Sequence, residues 1–425
     1  MSSGREAGGH RPAVRATAAF GHRDFRLFWI GAFVSNTGNW MQRVTIPYVL
    51  WDLTESATWV GFSSFALLIP FMATGPLGGS AADRFPRRTV LIVANTAAAG
   101  IAVALWALWV SGSTSPWAYV GLVFVFGIAY GSYAPSWHAL IPELVPRELL
   151  INAVTLDSAQ VNLAKATGPA AAGIVIAVAG PGVAFLLNAL TFCAVVLALV
   201  VIRAGRVAVS SQRARPVRDF ASSLGYVRRH RGILVSLVFV LVLGLLGDPL
   251  VQFIVVFTDE VFGVGEVAFG ALGAVFGLGA IAATPLVAGR GSRVRRSRMI
   301  AVSVTGFGVA TTAFALAPTY AFALPAMFAA GATWLTAASS LSSSIQLQVD
   351  DVMRGKIMAL WLMAFGAAKP VGGLVQGAIA DQIGVRATVA GAGLVLVAVA
   401  LLLVVGLRAL RHVDDRIRVV VDTTS

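Results

Sequence analysis

A chain of 425 residues that is 57% hydrophobic and only 12% charged carries about half the charge of a soluble domain, for which roughly 25% is usual. A cytosolic fold is excluded and a polytopic membrane protein indicated, since about 20 apolar residues fill one helical crossing and this much apolar sequence supplies on the order of twelve. The net charge of +13 raises nucleic acid as a partner, but the placement of those charges excludes it.

Residues 1–26 hold Arg5, Arg11, Arg15, Arg23 and Arg26 with no apolar core before a small-residue cleavage site. They read as a retained tail and not as a signal peptide. Apolar windows punctuated by Gly, Pro and charge place helices near 27–51, 57–82, 89–110, 117–138, 151–179 and 182–202. A polar central loop occupies 203–231. Six more helices follow near 232–257, 267–289, 299–317, 320–345, 356–380 and 387–408, and residues 409–425 form a second tail. The expected fold is an all-α integral membrane protein of twelve transmembrane helices in two bundles, 27–202 and 232–408.

An even number of helices puts both tails on one side. Of the 32 Lys and Arg residues, 28 fall in the tails and in the loops of that side. The other side keeps Arg386, and Arg43, Lys165 and Lys369 fall within spans. Basic residues concentrate in cytoplasmic loops, so both termini are expected in the cytoplasm. An abundance of Ala, Gly, Val and Arg suggests a bacterial source and hence the bacterial inner membrane.

Features recur between the halves in the same order. Gly38-Asn39 answers to Gly247-Asp248, Gly79 with its following arginines to Gly289 with Arg290, and Gly168-Pro169 to Lys369-Pro370. Duplicated halves of this kind mark secondary transporters, which hold substrate near the bilayer midplane between the repeats.

A charge inside a span costs at least a few kcal/mol, roughly 2.5 to 3.5 on insertion scales, so each is a functional candidate. Asp248, between Gly247 and Pro249 where the helix is expected to break, reads as a proton carrier or as the ion-pair partner of a cation from another helix. Asp157 is a second proton candidate. Lys165 and Lys369 are two of only three lysines and read as contacts to an anionic cargo or as fixed partners of Asp157 or Asp248. Asn39, Gln42, Arg43 and Trp361 complete the substrate-cavity candidates. Gly168, Pro169 and Pro370 are expected to bend helices 5 and 11.

Cys193 is the sole cysteine, and the five histidines lack metal-ligand spacing, so neither a disulfide nor a metal site is expected. A phosphate loop of the form GxxxxGK[ST] is missing, which argues against ATP drive and against a nucleotide cofactor.

The loop after helix 2 reads Gly79-Ser80-Ala81-Ala82-Asp83-Arg84-Phe85-Pro86-Arg87-Arg88. Arg84, Arg87 and Arg88 are expected in water or at anionic headgroups. This segment resembles the signature loop of the major facilitator superfamily, with Pro86 in place of a glycine. Ser35-Asn36-Thr37-Gly38-Asn39-Trp40, Pro142-Glu143-Leu144-Val145-Pro146-Arg147-Glu148, Asn188-Ala189-Leu190-Thr191-Phe192 and Arg354-Gly355-Lys356-Ile357-Met358 resemble blocks of its branch of siderophore exporters and macrolide efflux proteins.

The resemblance implies alternating access between two pseudo-symmetric bundles and a gate built on Gly79, Asp83, Arg84, Arg87 and Arg88. It also implies antiport through a motif similar to Gly168-Pro169. Asn39 stands where members of the branch often carry Asp, which leaves helix 1 without that carboxylate. The expected activity is export of a small organic molecule (drug, siderophore or secondary metabolite) by proton antiport. The expected setting is a lipid-embedded functional monomer with no nucleic-acid partner. An importer on the same fold and a lipid-modifying membrane enzyme are the alternatives.

Overall fold

The computed structural model describes residues 17–203, 216–290 and 295–403, and all regular structure among them is helical. Water is missing from a bilayer core, so a spanning segment must satisfy its own backbone, and the helix does this within one segment. The first helices are α1 (Arg23–Thr54), α2 (Ala57–Arg84), α3 (Arg87–Val110), α4 (Pro116–Leu140) and α5 (Leu150–Val201). After α6 (Pro216–Arg229) come α7 (Arg231–Gly247), α8 (Pro249–Gln252), α9 (Ile254–Val256) and α10 (Glu266–Arg290). The last are α11 (Arg296–Ala315), α12 (Tyr320–Gln348), α13 (Asp351–Ile383) and α14 (Val385–Leu401). Among the described residues nine helical stretches are long and apolar enough to cross a membrane, and Val385–Leu401 is a shorter apolar helix.

Packing sorts these helices into two bundles. In the first, α1 and α3 lie along α5, and α2 and α3 lie along α4. In the second, α11 packs on α12 and α14, α10 on α12, and α7 on α13. Continuous helix 150–201 folds back at Gly180, whose φ of 78° and ψ of 166° suit only glycine, and Pro181 then starts the returning leg.

The expected break near Asp248 is present, with α7 ending at Gly247 and α8 beginning at Pro249. Proline lacks the N–H that would bond the carbonyl four residues back, which is Leu245. Gln376 of α13 takes over: its Nε2 donates to Leu245 O at 2.8 Å and to Leu246 O at 3.3 Å. Gly372 makes this approach possible, because a Cβ there would collide with the Leu245 carbonyl.

Two segments read as polar connections have structure of their own. Within the central loop, α6 occupies Pro216–Arg229; its Val227 is buried, and the Tyr226 hydroxyl donates to Asp350 Oδ2 at 3.0 Å. Its apolar residues recur at helical spacing, a pattern that averaging over the basic stretch hides. At the end of the first tail, Ala18–Gly21 form a 3-10 turn tied down by Ala19 N donating to Asn152 Oδ1 at 2.9 Å, and Phe25 is fully buried.

The bundles meet through α2 on α13 and α5 on α10. Both crossings are built from small residues, which let helix backbones touch where lipid offers no hydrophobic drive for association. A Cβ on Gly61 would collide with the Gly373 carbonyl, one on Gly377 with the Ala57 carbonyl, and one on Gly173 would fall 2.7 Å from the Gly270 Cα. These contacts lie toward the end of the bundle remote from the chain termini, called here the far end. A polar clamp reinforces them: Asp381 of α13 accepts from Ala57 N (2.6 Å), Thr58 N (3.2 Å), Ser56 Oγ (2.7 Å) and Thr58 Oγ1 (2.6 Å) at the start of α2. A carboxylate at a helix N-terminus also meets the positive end of its dipole. Trp51 Nε1 donates to Asp259 Oδ2 at 2.8 Å and the Tyr48 hydroxyl to Glu266 Oε1 at 3.1 Å, adding two further links between the bundles.

Two outcomes test this architecture. Gln376→Leu should destabilise the fold by about 1–3 kcal/mol, the cost of a buried carbonyl left without a donor, read from unfolding in mixed detergent micelles; unchanged stability would remove Gln376 from its assigned role. Asp381→Ala should shift the ratio of open to closed far ends about tenfold or more, since bonds to a charged group contribute roughly 1.5–3 kcal/mol each. Spin labels on Thr114→Cys and Pro318→Cys, with the exposed Cys193 replaced by Ala, should then show a new long-distance population by pulsed electron resonance.

Candidate functional site

Between the bundles lies a cavity of about 520 Å³, within the range of small-molecule sites. At the termini-bearing end it reaches His138, Asp157 and Thr284, one to three turns from the ends of α4, α5 and α10. At the far end it stops at Phe269, which is 4% exposed and also walls a second, smaller pocket containing Asp52, Glu55, Asp259 and Glu266. Phe269 rests against Tyr48, with ring centroids 6.0 Å apart. The cavity is closed at one end by the crossings and clamp described above.

Its wall is mostly aromatic, with Trp40, Tyr130, Tyr133 and Trp137 from the first bundle and Phe276, Trp334 and Phe365 from the second. Five ionisable residues identified from the sequence come together here: Arg43, Asp157, Lys165, Asp248 and Lys369. Lys369 Nζ donates to Asp248 Oδ1 at 2.6 Å, and the amine lies 4.4 Å from the Phe365 ring centroid and 5.5 Å from that of Trp334. The break at Pro249 turns Asp248 toward this partner. Of the two roles open to Asp248, the ion pair is present.

Arg43 and Lys165 stand on the opposite wall. The Arg43 guanidinium lies over Trp40 at 4.9 Å and over Tyr130 at 5.1 Å, an arrangement that stabilises a cation by about 0.5–2 kcal/mol. Lys165 Nζ reaches Asn162 Oδ1 at 3.4 Å and lies 5.8 Å from the Trp40 centroid. Asp157 accepts from Gln160 Nε2 at 3.2 Å, with Trp137 and His138 beside it. Lys165 and Asp157 do not pair, as their spacing implies: eight residues along α5 separate them by about two turns, or roughly 12 Å of rise.

Gln42 lines the cavity, and its Oε1 accepts from Asn188 Nδ2 at 2.8 Å, which fixes its amide. Asn39 and Trp361 are corrections. Neither belongs to the cavity wall. Asn39 is buried, because neighbouring Gly38 presses α1 against Asn188 and Thr191 of α5. Trp361 stacks on Phe365, with centroids 5.4 Å apart, and Phe365 takes the place at the wall.

The helix runs on through Pro169 and Pro370, and the departure from helical φ and ψ in α5 is at Gly180. Gly168 instead seats α5 against Trp40 and the backbone of α1, and Pro169 packs on Gly273 across the bundle boundary.

In the basic loop, the side chains of Gly79 and Asp83 lie outside the described residues. Arg84 is exposed. Arg87 departs from the expected placement in water or at headgroups, while Arg88 keeps a partly exposed position and also bonds to protein. Arg87 opens α3, pairs with Glu143 and donates to Ala139 O at 2.8 Å, while Arg88 donates to Val200 O. Each capping interaction ties the start of α3 to a neighbouring helix end, where last-turn carbonyls lack partners.

Sequence reasoning missed Asp381, Phe269 and the acidic group at the far end. Asp381 lies at a span end, where an acid is unremarkable, and its target is the backbone start of α2, which carries no side-chain signal. Among the described residues no cluster of His, Cys, Asp and Glu is arranged to hold a metal ion.

Comparison with known proteins supports this picture. The enterobactin exporter EntS of Citrobacter koseri is 28% identical over 405 residues, covering 91% of this chain and 92% of that protein. The multidrug efflux pump Tap of Mycobacterium tuberculosis is 25% identical over 400 residues, covering 91% and 94%. A bacterial homologue of the human lysosomal transporter Spinster superposes with a TM-score of 0.71 at 14% identity, covering 92% of this chain and 98% of the other, which establishes the fold. The model of the transmembrane secretion effector family matches residues 14–419, and this chain is a member of that major facilitator family of transporters.

Proposed function

We propose that the protein exports a small organic molecule across a bacterial cytoplasmic membrane by exchange with protons, through alternating access of two six-helix bundles making twelve crossings as a monomer. The observation that carries this reading is the cavity itself: closed at the far end, continuous toward the termini-bearing end, and lined by aromatic rings together with paired and unpaired ionisable groups. Efflux as the direction is supported by the relatives, an enterobactin exporter and a multidrug efflux pump. The concentration of arginines at the termini-bearing end supports a cytoplasmic placement of that end. The cavity then faces the cytoplasm.

Two devices serve proton exchange. Protonation of Asp248 would dissolve the contact to Lys369 and free a positive charge inside the cavity. Asp157, buried near the cytoplasmic end with Gln160 as its partner, is the second carboxylate able to carry a proton. Asp83 at the cytoplasmic end of α2 is the proposed gate of the alternate state, in which the far end opens.

The test is reconstitution into proteoliposomes with an imposed pH gradient, screening enterobactin and a panel of antibiotics. Substrate-dependent proton flux is expected in the native protein. Asp248→Asn should reduce coupled flux at least tenfold while binding is kept; coupled flux at native rates in that variant removes Asp248 from the exchange. Flux without proton movement for every transported compound would overturn antiport.

A further inference from the structure

The two walls of the cavity differ electrically. On the second bundle, the Lys369 charge is matched by Asp248 at 2.6 Å. On the first, among the described residues, neither Arg43 nor Lys165 forms an ion pair. Lys369 and Arg43, both of its own sign, are among the charges around Lys165. Both unpaired cations lie within 6 Å of the same Trp40 ring centroid, Arg43 at 4.9 Å and Lys165 at 5.8 Å. Arg43 Nε is buried and has no acceptor, although a guanidinium donor ordinarily finds one when removed from water. Asp157, the carboxylate on this wall, is directed to Gln160.

Two like charges gathered about one ring in a partly dehydrated space repel, and their repulsion grows as the effective dielectric constant falls. Aromatic faces soften this for Arg43 but supply no hydrogen-bond acceptor. An anion resting between Arg43 and Lys165 offsets the repulsion and offers the guanidinium an acceptor. Guanidinium and ammonium together suit a carboxylate or a similar oxyanion, the first by a planar fork and the second as a point charge. Around that position Trp40, Tyr130 and Trp137 present apolar faces.

From this geometry we infer that the cargo is an amphiphilic anion, with an oxyanion seated between Arg43 and Lys165 and a flat apolar body against the aromatic wall. The inference rests on the transport reading for the word cargo, but the site is defined by binding alone. It also separates the roles of the two lysines: Lys165 contacts cargo, whereas Lys369 belongs to the ion pair.

The experiment measures binding to the purified full chain in a nonionic maltoside detergent by equilibrium dialysis, correcting for partition into empty micelles. The probes share one ring system and differ in charge: 2-naphthoate, 2-naphthylmethanol and 2-naphthylmethylammonium. The native protein should hold 2-naphthoate at least tenfold more tightly than either companion. Arg43→Gln with Lys165→Gln should abolish that preference, and the charge-keeping pair Arg43→Lys with Lys165→Arg should retain most of it. Equal binding of all three probes by the native protein, or tighter binding of the ammonium, overturns the proposal without any variant having to fold. A preference that survives the double glutamine variant also overturns it. If the preference is found but proteoliposomes show no exchange, the transport reading fails and the site stands; if exchange is found for the ammonium alone, the reverse holds.

Discussion

Close contact of bare backbone at two crossings is the constraint from which the rest of the molecule follows. Gly61, Gly373 and Gly377 join α2 to α13, and Gly173 and Gly270 join α5 to α10, at distances that leave no room for a side chain. In hydrocarbon such surfaces associate through van der Waals contact and local hydrogen bonds, because lipid tails are as apolar as leucine. Closure of the far end is therefore a dry, small-residue joint rimmed by a few polar links, Asp381 to the start of α2, Trp51 to Asp259 and Tyr48 to Glu266. Apolar packing continues across this joint, since Met41, Val60 and Ile176 of the first bundle share one buried cluster with Phe253, Phe257 and Phe269 of the second.

What the joint encloses has two electrical halves. Gln376 replaces the backbone donor lost where the helix breaks at Pro249, and the break delivers Asp248 to Lys369. A charge pair in this position is internally balanced. Across the cavity, Arg43 and Lys165 are supported by aromatic faces and left without counter-charge. The proposed division of roles follows from this difference: proton exchange is assigned to the paired wall and anion binding to the unpaired one.

Much of the fold was legible in the sequence because a bilayer leaves few alternatives. Apolar windows of the right length, the sidedness of the arginines and the spacing of the charge-bearing loop each express a constraint acting locally on the chain, and the turn at Gly180-Pro181 fell where a glycine and proline stood together. Of the candidate site, Gln42, Arg43, Asp157, Lys165, Asp248 and Lys369 line one cavity, since an ionisable residue in a span has almost nowhere else to go. Asn39 and Trp361 fell outside it because polarity and aromaticity, unlike charge, are accommodated as readily between helices as beside a cavity. Arg87 found Glu143 for the opposite reason: at a helix start near the membrane edge, a basic residue has both solvent and protein partners within reach.

By itself, then, the sequence determined the class of the molecule, its helical spans and the set of charges that must be dealt with inside them, because transfer of each segment into lipid depends on its own composition. Tertiary structure decided which of those charges are neutralised, which end of the cavity is closed and which aromatic rings face it. Those outcomes depend on the rotation of each helix and on contacts between residues as far apart as Ser56 and Asp381, and a rotation of half a turn, which composition does not record, exchanges cavity for lipid.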